Sequence, residues 1–271
     1  MVKKSNRLRD GLSPKSSRQL RSEPYLTEDA VFKALHFDGR SVQSRMRKDA
    51  PNELQFGYTR AMMGFLLFNP APRDVLIVGL GGGSLSKYCY HHLADTRITT
   101  VEIDPAVIAL RDEFAIPPDS DRFQVICADA AEYLAEKAAI ADVILLDGYA
   151  DYGLPPALSS LDFYSQCYAA LRANGVVAAN LWGSPMTVHQ CLRRIRTCFE
   201  QKMLKVRSPT SDNIVAVALK EPRIPAWSTL QGRARALQRE TEIDFPYVLD
   251  EMRGSVRMVS QSLHWLMAPE L

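Results

Sequence analysis

The pattern of apolar and polar positions changes character at Asp74. From there on, short apolar runs with the length of buried strands alternate with segments of helical periodicity. The predicted strands are residues 74–80, 98–103, 123–127, 142–147, 176–181, 203–206 and 213–219, and the predicted helices are residues 84–93, 105–114, 130–137, 161–171 and 187–199. Strands separated by helices of this length predict βαβ units and a mostly parallel sheet, and therefore an α/β fold.

The residues before Asp74 follow a different pattern. Residues 31–37 and 40–46 flank Asp38-Gly39, which predicts a small β-hairpin, and residues 53–68 have helical periodicity. Residues 1–21 hold seven cationic side chains, one acid and only five apolar residues. We therefore predict a disordered basic tail at residues 1–21, a small β-hairpin and helix region at residues 22–70, and a nucleoside-binding catalytic domain at residues 71–271.

Composition narrows the class of protein. Of the 271 residues, 46% are hydrophobic and the net charge is only +2, and no apolar run approaches the roughly 20 residues that span a bilayer. The five cysteines form no CxxC pair, and His91-His92 are adjacent on a predicted helix and cannot face one ion together. We expect a cytoplasmic protein with reduced thiols, no metal site, and neither nucleic acid nor membrane as a partner.

A glycine-rich segment, Gly79-Leu80-Gly81-Gly82-Gly83-Ser84, follows the first predicted strand. Ligands of open parallel sheets bind beyond the carboxyl ends of the strands, and glycine lets the backbone turn tightly against a ligand. The dinucleotide fingerprint G-x-G-x-x-G is not met, because Ser84 occupies its last position. The segment favours a nucleoside or methionine-like group over a dinucleotide, with a plain structural turn as the alternative.

Acids lie at the end of the second predicted strand and just after the third. Glu102 lies 21 residues after Gly81, close to the distance at which an acid meets ribose hydroxyls in such folds. Asp129, followed by Ala130, can accept a hydrogen bond from an exocyclic amine such as adenine N6. The alternatives are a surface acid at position 102 and a helix N-cap at position 129, and Asp129 can fill both roles.

The fourth predicted strand ends at Asp147, and a loop rich in Asp, Tyr, Gly and Pro follows it. Loops after the strands of such sheets carry function. We expect Asp147 to lie at the centre of the cleft, where its carboxylate can hold a cationic amine and orient it for attack on an electrophilic carbon. Tyrosines such as Tyr149 can line an aliphatic amine and add cation–π attraction.

These motifs, taken together, resemble the spermidine synthases, the polyamine aminopropyltransferases. The resemblance covers about residues 33–182, and it is carried by ALHFDGRSVQSRMRKDAPNELQFGYTRAMM, VLIVGLGGGSLSKYCYHHL, VEIDPAVI, DRFQVICADAAEYL and ADVILLDGYADYGLPPALSSLDFY. It implies a Rossmann-like class I S-adenosylmethionine-dependent methyltransferase fold with a short N-terminal β segment, and a homodimer. It also implies transfer of the aminopropyl group of decarboxylated S-adenosylmethionine to putrescine or a similar amine, with release of 5′-methylthioadenosine.

The resemblance also implies roles for single residues. Asp147 corresponds to the acid that positions and deprotonates the attacking amine, and Tyr58, Tyr149 and Asp151 are placed on the substrate side. The implied cofactor-binding residues are Gln43, Gly79, Gly81, Gly83, Glu102, Asp129 and Ala130.

Three positions depart from the family pattern. Gly82 stands where the family has an aspartate that holds the aminopropyl amine, Thr59-Arg60 replaces a His-Glu pair, and the second acid of the loop is shifted by one residue to Asp151. Two alternatives to aminopropyl transfer therefore stay open. One is a methyltransferase that uses intact S-adenosylmethionine, and the other is a non-catalytic nucleoside-binding relative. A nicotinamide dehydrogenase is a weaker possibility because of Ser84.

Overall fold

The computed structural model describes residues 23–37, 42–150, 153–220 and 224–266, the last ten of them as backbone only. The basic tail predicted at residues 1–21, the turn at Asp38-Gly39 and the candidate site residue Asp151 lie outside the described residues.

A seven-stranded mixed sheet forms the centre of the molecule. Its strands are β4 (Asp74–Val78), β5 (Arg97–Glu102), β6 (Phe123–Cys127), β7 (Ala141–Leu146), β8 (Leu171–Leu181), β9 (Met203–Arg207) and β10 (Ile214–Leu219). The spatial order is β6-β5-β4-β7-β8-β10-β9, with parallel pairing from β6 to β8, while β10 runs antiparallel to both of its neighbours. The strand order reverses between β4 and β7, which is where open α/β sheets bind their ligands.

Helices cover both faces of this sheet. They are α1 (Gly57–Met62), α2 (Ser84–His92), α3 (Pro105–Ile108), α4 (Ala130–Leu134), α5 (Pro156–Ser159), α6 (Leu161–Ala170), α7 (Pro185–Cys198), α8 (Trp227–Glu240) and α9 (Phe245–Leu266). Short 3₁₀ turns follow α1 at Met63–Leu67 and α3 at Asp112–Phe114. Among the described helices, none combines the length and the apolar character that a bilayer crossing requires.

The alternation of side chains along β4 shows how the core divides into two layers. Val75 and Ile77 pack into one apolar cluster with residues of α2, α8 and α9, whereas Leu76 and Val78 pack into a second cluster with residues of α4, α6 and α7. A strand that is buried on both faces carries a continuous apolar run, which is the pattern that predicted it.

A small antiparallel sheet precedes the central one. It contains β1 (Tyr25–Glu28), β2 (Phe32–His36) and β3 (Ser44–Arg47) in that order, so the predicted hairpin is two strands of a three-stranded sheet. Lys87 of α2 lies beneath it and is only 1% exposed. Its ammonium group donates to Phe114 O (2.7 Å) and to Met46 Sδ (3.1 Å), and burial lowers the pKa of Lys87 to about 8.

Several predicted helices end earlier than expected, among them α3 and α6. The chain leaves α3 after Ile108 and adopts a left-handed conformation at Ala115 (φ 51°), which turns Ile116 towards Gly83. Helix α6 ends at Ala170, and Asn174 (φ 67°) forms an irregularity inside β8 and not the helix end predicted near Asn174-Gly175. In both places tertiary packing overrides local helix propensity.

Candidate active site

A cleft of about 940 Å³ opens beyond the carboxyl ends of β4, β5, β6, β7 and β8. The small N-terminal sheet and the start of α1 form its opposite wall, through Gln43, Ser44, Phe56 and Tyr58. The volume suits a nucleoside with an extended side group, because small-molecule pockets are typically about 300–1,000 Å³.

The glycine loop forms the floor of the cleft. Gly79 has φ +96°, and a Cβ added there would lie 2.3 Å from the carbonyl oxygen of Asp147, so only glycine lets the ends of β4 and β7 approach this closely. Gly81 also has a positive φ (+51°) and lines the cleft. Gly83 has a positive φ as well (+67°), and a Cβ there would lie 2.5 Å from Cγ1 of Ile116, but Gly83 is not among the described residues that line the cleft.

Glu102 ties the end of β5 to the glycine loop. Its Oε2 accepts a hydrogen bond from Leu80 N (2.8 Å), and its Oε1 accepts one from Asp104 N (3.0 Å). Each carboxylate oxygen has a second lone pair, so the side chain can still accept from hydroxyl groups in the cleft that it lines. The two backbone N–H groups hold the carboxylate in place, as the recognition of a vicinal diol requires.

Gly82 packs directly against the N-terminal sheet. A Cβ at this position would lie 2.6 Å from Ser44 Oγ and 2.9 Å from Cδ1 of Phe114, whose side chain is fully buried. Ser44 is itself only 6% exposed, and its hydroxyl lies 3.3 Å from that of Ser84. A side chain at position 82 would therefore force Ser44 and Phe114 to shift, and the hydroxyls of Ser44 and Ser84 stand at this end of the cleft.

Asp129 occupies the N-cap position of α4, where its Oδ1 accepts from Ala131 N (2.8 Å). Both Asp129 and Ala130 line the cleft. The capping role is therefore present, and the second carboxylate oxygen stays available for a donor such as an exocyclic amine.

Asp147 lies at the end of β7 between two hydrogen-bond donors. Its Oδ1 accepts from Asn180 Nδ2 (2.8 Å), and its Oδ2 accepts a longer hydrogen bond from the hydroxyl of Tyr58 (3.4 Å). Burial raises the pKa of Asp147 to about 7, against the lowering effect of both hydrogen bonds. Burial and the neighbouring Asp147 charge also hold the pKa of Tyr58 well above its ordinary value. The carboxyl group is thus poised to exchange a proton near neutral pH.

Two aromatic residues stand beside this carboxylate. The hydroxyl of Tyr149 donates to Asn180 O (3.0 Å) and accepts from Trp182 N (2.7 Å), so the ring is fixed against the end of β8. The rings of Tyr149 and Trp182 are 6.5 Å apart, and both residues line the cleft. Because the backbone occupies the hydroxyl of Tyr149, this residue can contact a bound amine only through the face of its ring.

The structure brings most of the predicted site residues together. Those that line the cleft are Gln43, Tyr58, Gly79, Gly81, Glu102, Asp129, Ala130, Asp147 and Tyr149. Sequence reasoning missed Ser44, Asn180, Trp182 and Asn213, which line the same cleft. Asn180 lies one residue before the end of β8 and donates to Asp147, and its place near a strand end was the signal that could have found it. In the part of the chain that the structure describes, no group of three or more His, Cys, Asp or Glu residues is arranged to hold a metal ion.

Comparison with known proteins then decides the family. The spermine/spermidine synthase domain model matches residues 55–216. The polyamine aminopropyltransferase of Chromobacterium violaceum is 32% identical over 233 residues, which is 85% of this chain and 89% of that protein. The chain belongs to the spermine/spermidine synthase family.

Solved structures confirm the predicted fold. A spermidine synthase in complex with the transition-state analogue AdoDATO aligns with a TM-score of 0.64 at 19% identity, over 90% of this chain and 94% of that one. Human methyltransferase-like protein 13, in complex with SAH, aligns with a TM-score of 0.58 at 28% identity, over 67% of this chain and 88% of that one. The spermine/spermidine synthase family and an S-adenosylmethionine methyltransferase thus share this Rossmann-like architecture.

Proposed function

We propose that this member of the spermine/spermidine synthase family transfers the aminopropyl group of decarboxylated S-adenosylmethionine to an amine. The observation that supports it best is the placement of Asp147, whose carboxylate faces a nucleoside-sized cleft between Tyr58 and Asn180. The name of the Chromobacterium violaceum relative, with which the chain shares most of its length, supports the same reaction.

The chemistry at Asp147 follows from its surroundings. The nitrogen of the amine attacks the methylene carbon next to the sulfonium, the new C–N bond forms as the C–S bond breaks, and the electron pair of that bond stays on sulfur. The neutral thioether 5′-methylthioadenosine leaves, and the surplus proton of the amine passes to Asp147. A carboxylate with a pKa of about 7 can accept that proton near neutral pH, and it also attracts the cationic form of the amine into the cleft.

The nucleoside occupies the other half of the cleft in this proposal. Glu102 accepts from the two ribose hydroxyls, and Asp129 with Ala130 contacts the adenine. Gln43 and Tyr58 lie on the wall that faces the aminopropyl chain, and Gly81 lets the backbone approach the sulfonium end.

The rings of Tyr149 and Trp182 flank the methylene groups of the amine. Putrescine or a similar small aliphatic amine fits this arrangement.

One observation favours a second candidate function, methyl transfer from intact S-adenosylmethionine. Position 82 holds no acid, and Ser44 and Phe114 occupy the space that a side chain there would need. The hydroxyls of Ser44 and Ser84 do not repel the α-carboxylate of an intact methionine group, whereas an aspartate would. Human methyltransferase-like protein 13, a structural relative, was solved with SAH, which carries that carboxylate.

Calorimetry separates the two candidates. We expect decarboxylated S-adenosylmethionine and methylthioadenosine to bind at least as tightly as intact S-adenosylmethionine, and putrescine to yield methylthioadenosine and a triamine. The Asp147→Asn variant should bind the nucleoside with unchanged affinity while product formation falls by about 10²–10⁴-fold, as the loss of a general base implies. Tight binding of intact S-adenosylmethionine alone, with no product from any diamine, would reject aminopropyl transfer in favour of the second candidate.

A further inference from the structure

A row of side-chain hydrogen bonds leads from the rim of the cleft to Asp147. The hydroxyl of Ser211 donates to Asn213 Oδ1 (2.6 Å), and Asn213 Nδ2 donates to Asn180 Oδ1 (2.8 Å). Asn180 Nδ2 then donates to Asp147 Oδ1 (2.8 Å). We call Ser211, Asn213 and Asn180 the amide row. Asn213 and Asn180 each accept from the residue before them and donate to the one after them, so both amides donate in the direction of the carboxylate. The hydroxyl of Ser211, which begins the row, also lies 2.9 Å from Ser208 Oγ.

The direction of the row is fixed by its end point. An ionised carboxylate can only accept, so Asn180 must present its NH₂ group to Asp147 and its carbonyl to Asn213. Asn213 must then present its own NH₂ group to that carbonyl, which leaves the Asn213 oxygen to accept from Ser211. Asn180 is only 4% exposed, so a reversed amide would leave a buried carbonyl facing the partly buried carboxylate of Asp147.

The sheet explains how residues distant in sequence form the row. Asn180 lies near the carboxyl end of β8, and Asn213 directly precedes β10, which pairs antiparallel with β8 through Ile214 and Leu181. The start of β10 therefore lies at the same edge of the sheet as the end of β8. The main-chain oxygen of Asn180 is held as well, by the hydroxyl of Tyr149.

We propose that Asn180 and Asn213 are positioning residues for the reaction at Asp147. They commit one carboxylate oxygen to the row, direct the other oxygen towards Tyr58 and the bound amine, and favour the ionised carboxylate. The catalytic consequence rests on the proposed function, but the effect on the carboxylate is measurable without turnover.

The described groups around Asp147 offer no positive charge that would favour its ionised form. Among the described residues, the titratable groups that face the carboxylate are Tyr58 from α1 and Tyr149 from its own loop, and the pKa of each lies above its ordinary value, so both are neutral. Strand β8 presents the amide of Asn180 to it, and Asn213, the residue before β10, donates to that amide. No described cation pairs with Asp147. Hydrogen bonds therefore oppose the rise in its pKa that burial causes.

The test measures the pKa of Asp147 by carboxyl-carbon NMR of the full chain, with the signal assigned by its loss in Asp147→Asn. We expect Asn180→Ala to raise this pKa by about one unit or more, since it removes the direct donor. Asn213→Asp should also raise it, because an aspartate cannot donate to Asn180 and attracts its NH₂ group away from Asp147. Asn213 is only partly buried, which keeps the second variant informative if Asn180→Ala does not fold.

Asn69→Ala is the matched control, since Asn69 is also partly buried but does not line the cleft. It should leave the pKa of Asp147 unchanged. With an active enzyme, both row variants should lower kcat/KM at pH 7 by roughly tenfold and recover much of it at pH 9, which a merely structural defect would not do. An unchanged Asp147 pKa in folded Asn213→Asp would overturn the proposal. If the wild-type protein turns over no amine, the proposed function fails while the NMR titration still decides the role of the row.

Discussion

Oε2 of Glu102 accepts a hydrogen bond from the backbone nitrogen of Leu80 at 2.8 Å. The acid at the end of β5 therefore shapes the glycine loop at the end of β4, in addition to lining the cleft. Recognition of the nucleoside and the conformation of the loop beneath it depend on the same side chain.

Glu102→Gln should weaken nucleoside binding strongly. The amide can keep only one carbonyl acceptor, so either Leu80 N or Asp104 N loses its partner, and two hydroxyls of the ligand no longer face a carboxylate. A charge-assisted hydrogen bond contributes about 1.5–3 kcal/mol, so we expect methylthioadenosine to bind about 10–100-fold more weakly by calorimetry. Binding within twofold of the wild-type value would exclude Glu102 from ligand recognition.

A pair of substitutions separates the two roles of Asp129. Asparagine is as good an N-cap as aspartate, so Asp129→Asn should keep the stability of α4, whereas Asp129→Ala should lower the free energy of unfolding by about 1 kcal/mol. If the carboxylate also contacts the adenine, both variants should bind methylthioadenosine about tenfold more weakly. Thermal denaturation measures the change in stability, and calorimetry measures the affinity for methylthioadenosine. Full affinity in Asp129→Asn would leave only the capping role.

The raised pKa of Asp147 predicts a cost in stability above neutral pH. Because the folded protein binds this proton more tightly than the unfolded chain, stability is fully present below the unfolded pKa of about 3.9 and is lost as pH rises through the folded pKa of about 7. Asp147→Asn should therefore gain stability relative to wild type between pH 5 and pH 8, by roughly 2 kcal/mol. Urea unfolding of both proteins at the two pH values measures this, and a constant difference would contradict the shift.

Lys87 predicts a dependence of the opposite sign at alkaline pH. Its folded pKa of about 8 lies below the ordinary value of 10.5, so the unfolded chain binds the proton more tightly and stability rises as pH increases through this window. Lys87→Met should be more stable than wild type at pH 7, by about 1–2 kcal/mol, and the gain should shrink by pH 10. Lys137→Met, at a position where the ammonium group lies over the ring of Tyr133, is the control that should show no such trend.

The sequence predicted the part of the site that follows the general rule for parallel sheets. Gly79, Glu102, Asp129 and Asp147 all lie at or just beyond the carboxyl ends of parallel strands, and the structure places all four around one cleft. Asn213 escaped this reasoning because it precedes its strand, and only the antiparallel direction of β10 brings it to the same edge.

Other features depend on contacts between distant segments that no local pattern encodes. The absence of an acid at Gly82 is visible in the sequence, but the contact with Ser44 that fills its place is not. The cytoplasmic location, the homodimer and the domain boundaries expected from the sequence stay predictions.

The packing around Gly82 also constrains how this cleft can change by mutation. An aspartate introduced at position 82 alone would have its Cβ against Ser44 Oγ and the buried ring of Phe114, so the loop would have to distort to admit it. A side chain at position 82 would require the Ser44 hydroxyl to turn and the Phe114 ring to move. Position 82 is thus coupled to positions 44 and 114, and an acid there would depend on the side chains that those two positions carry.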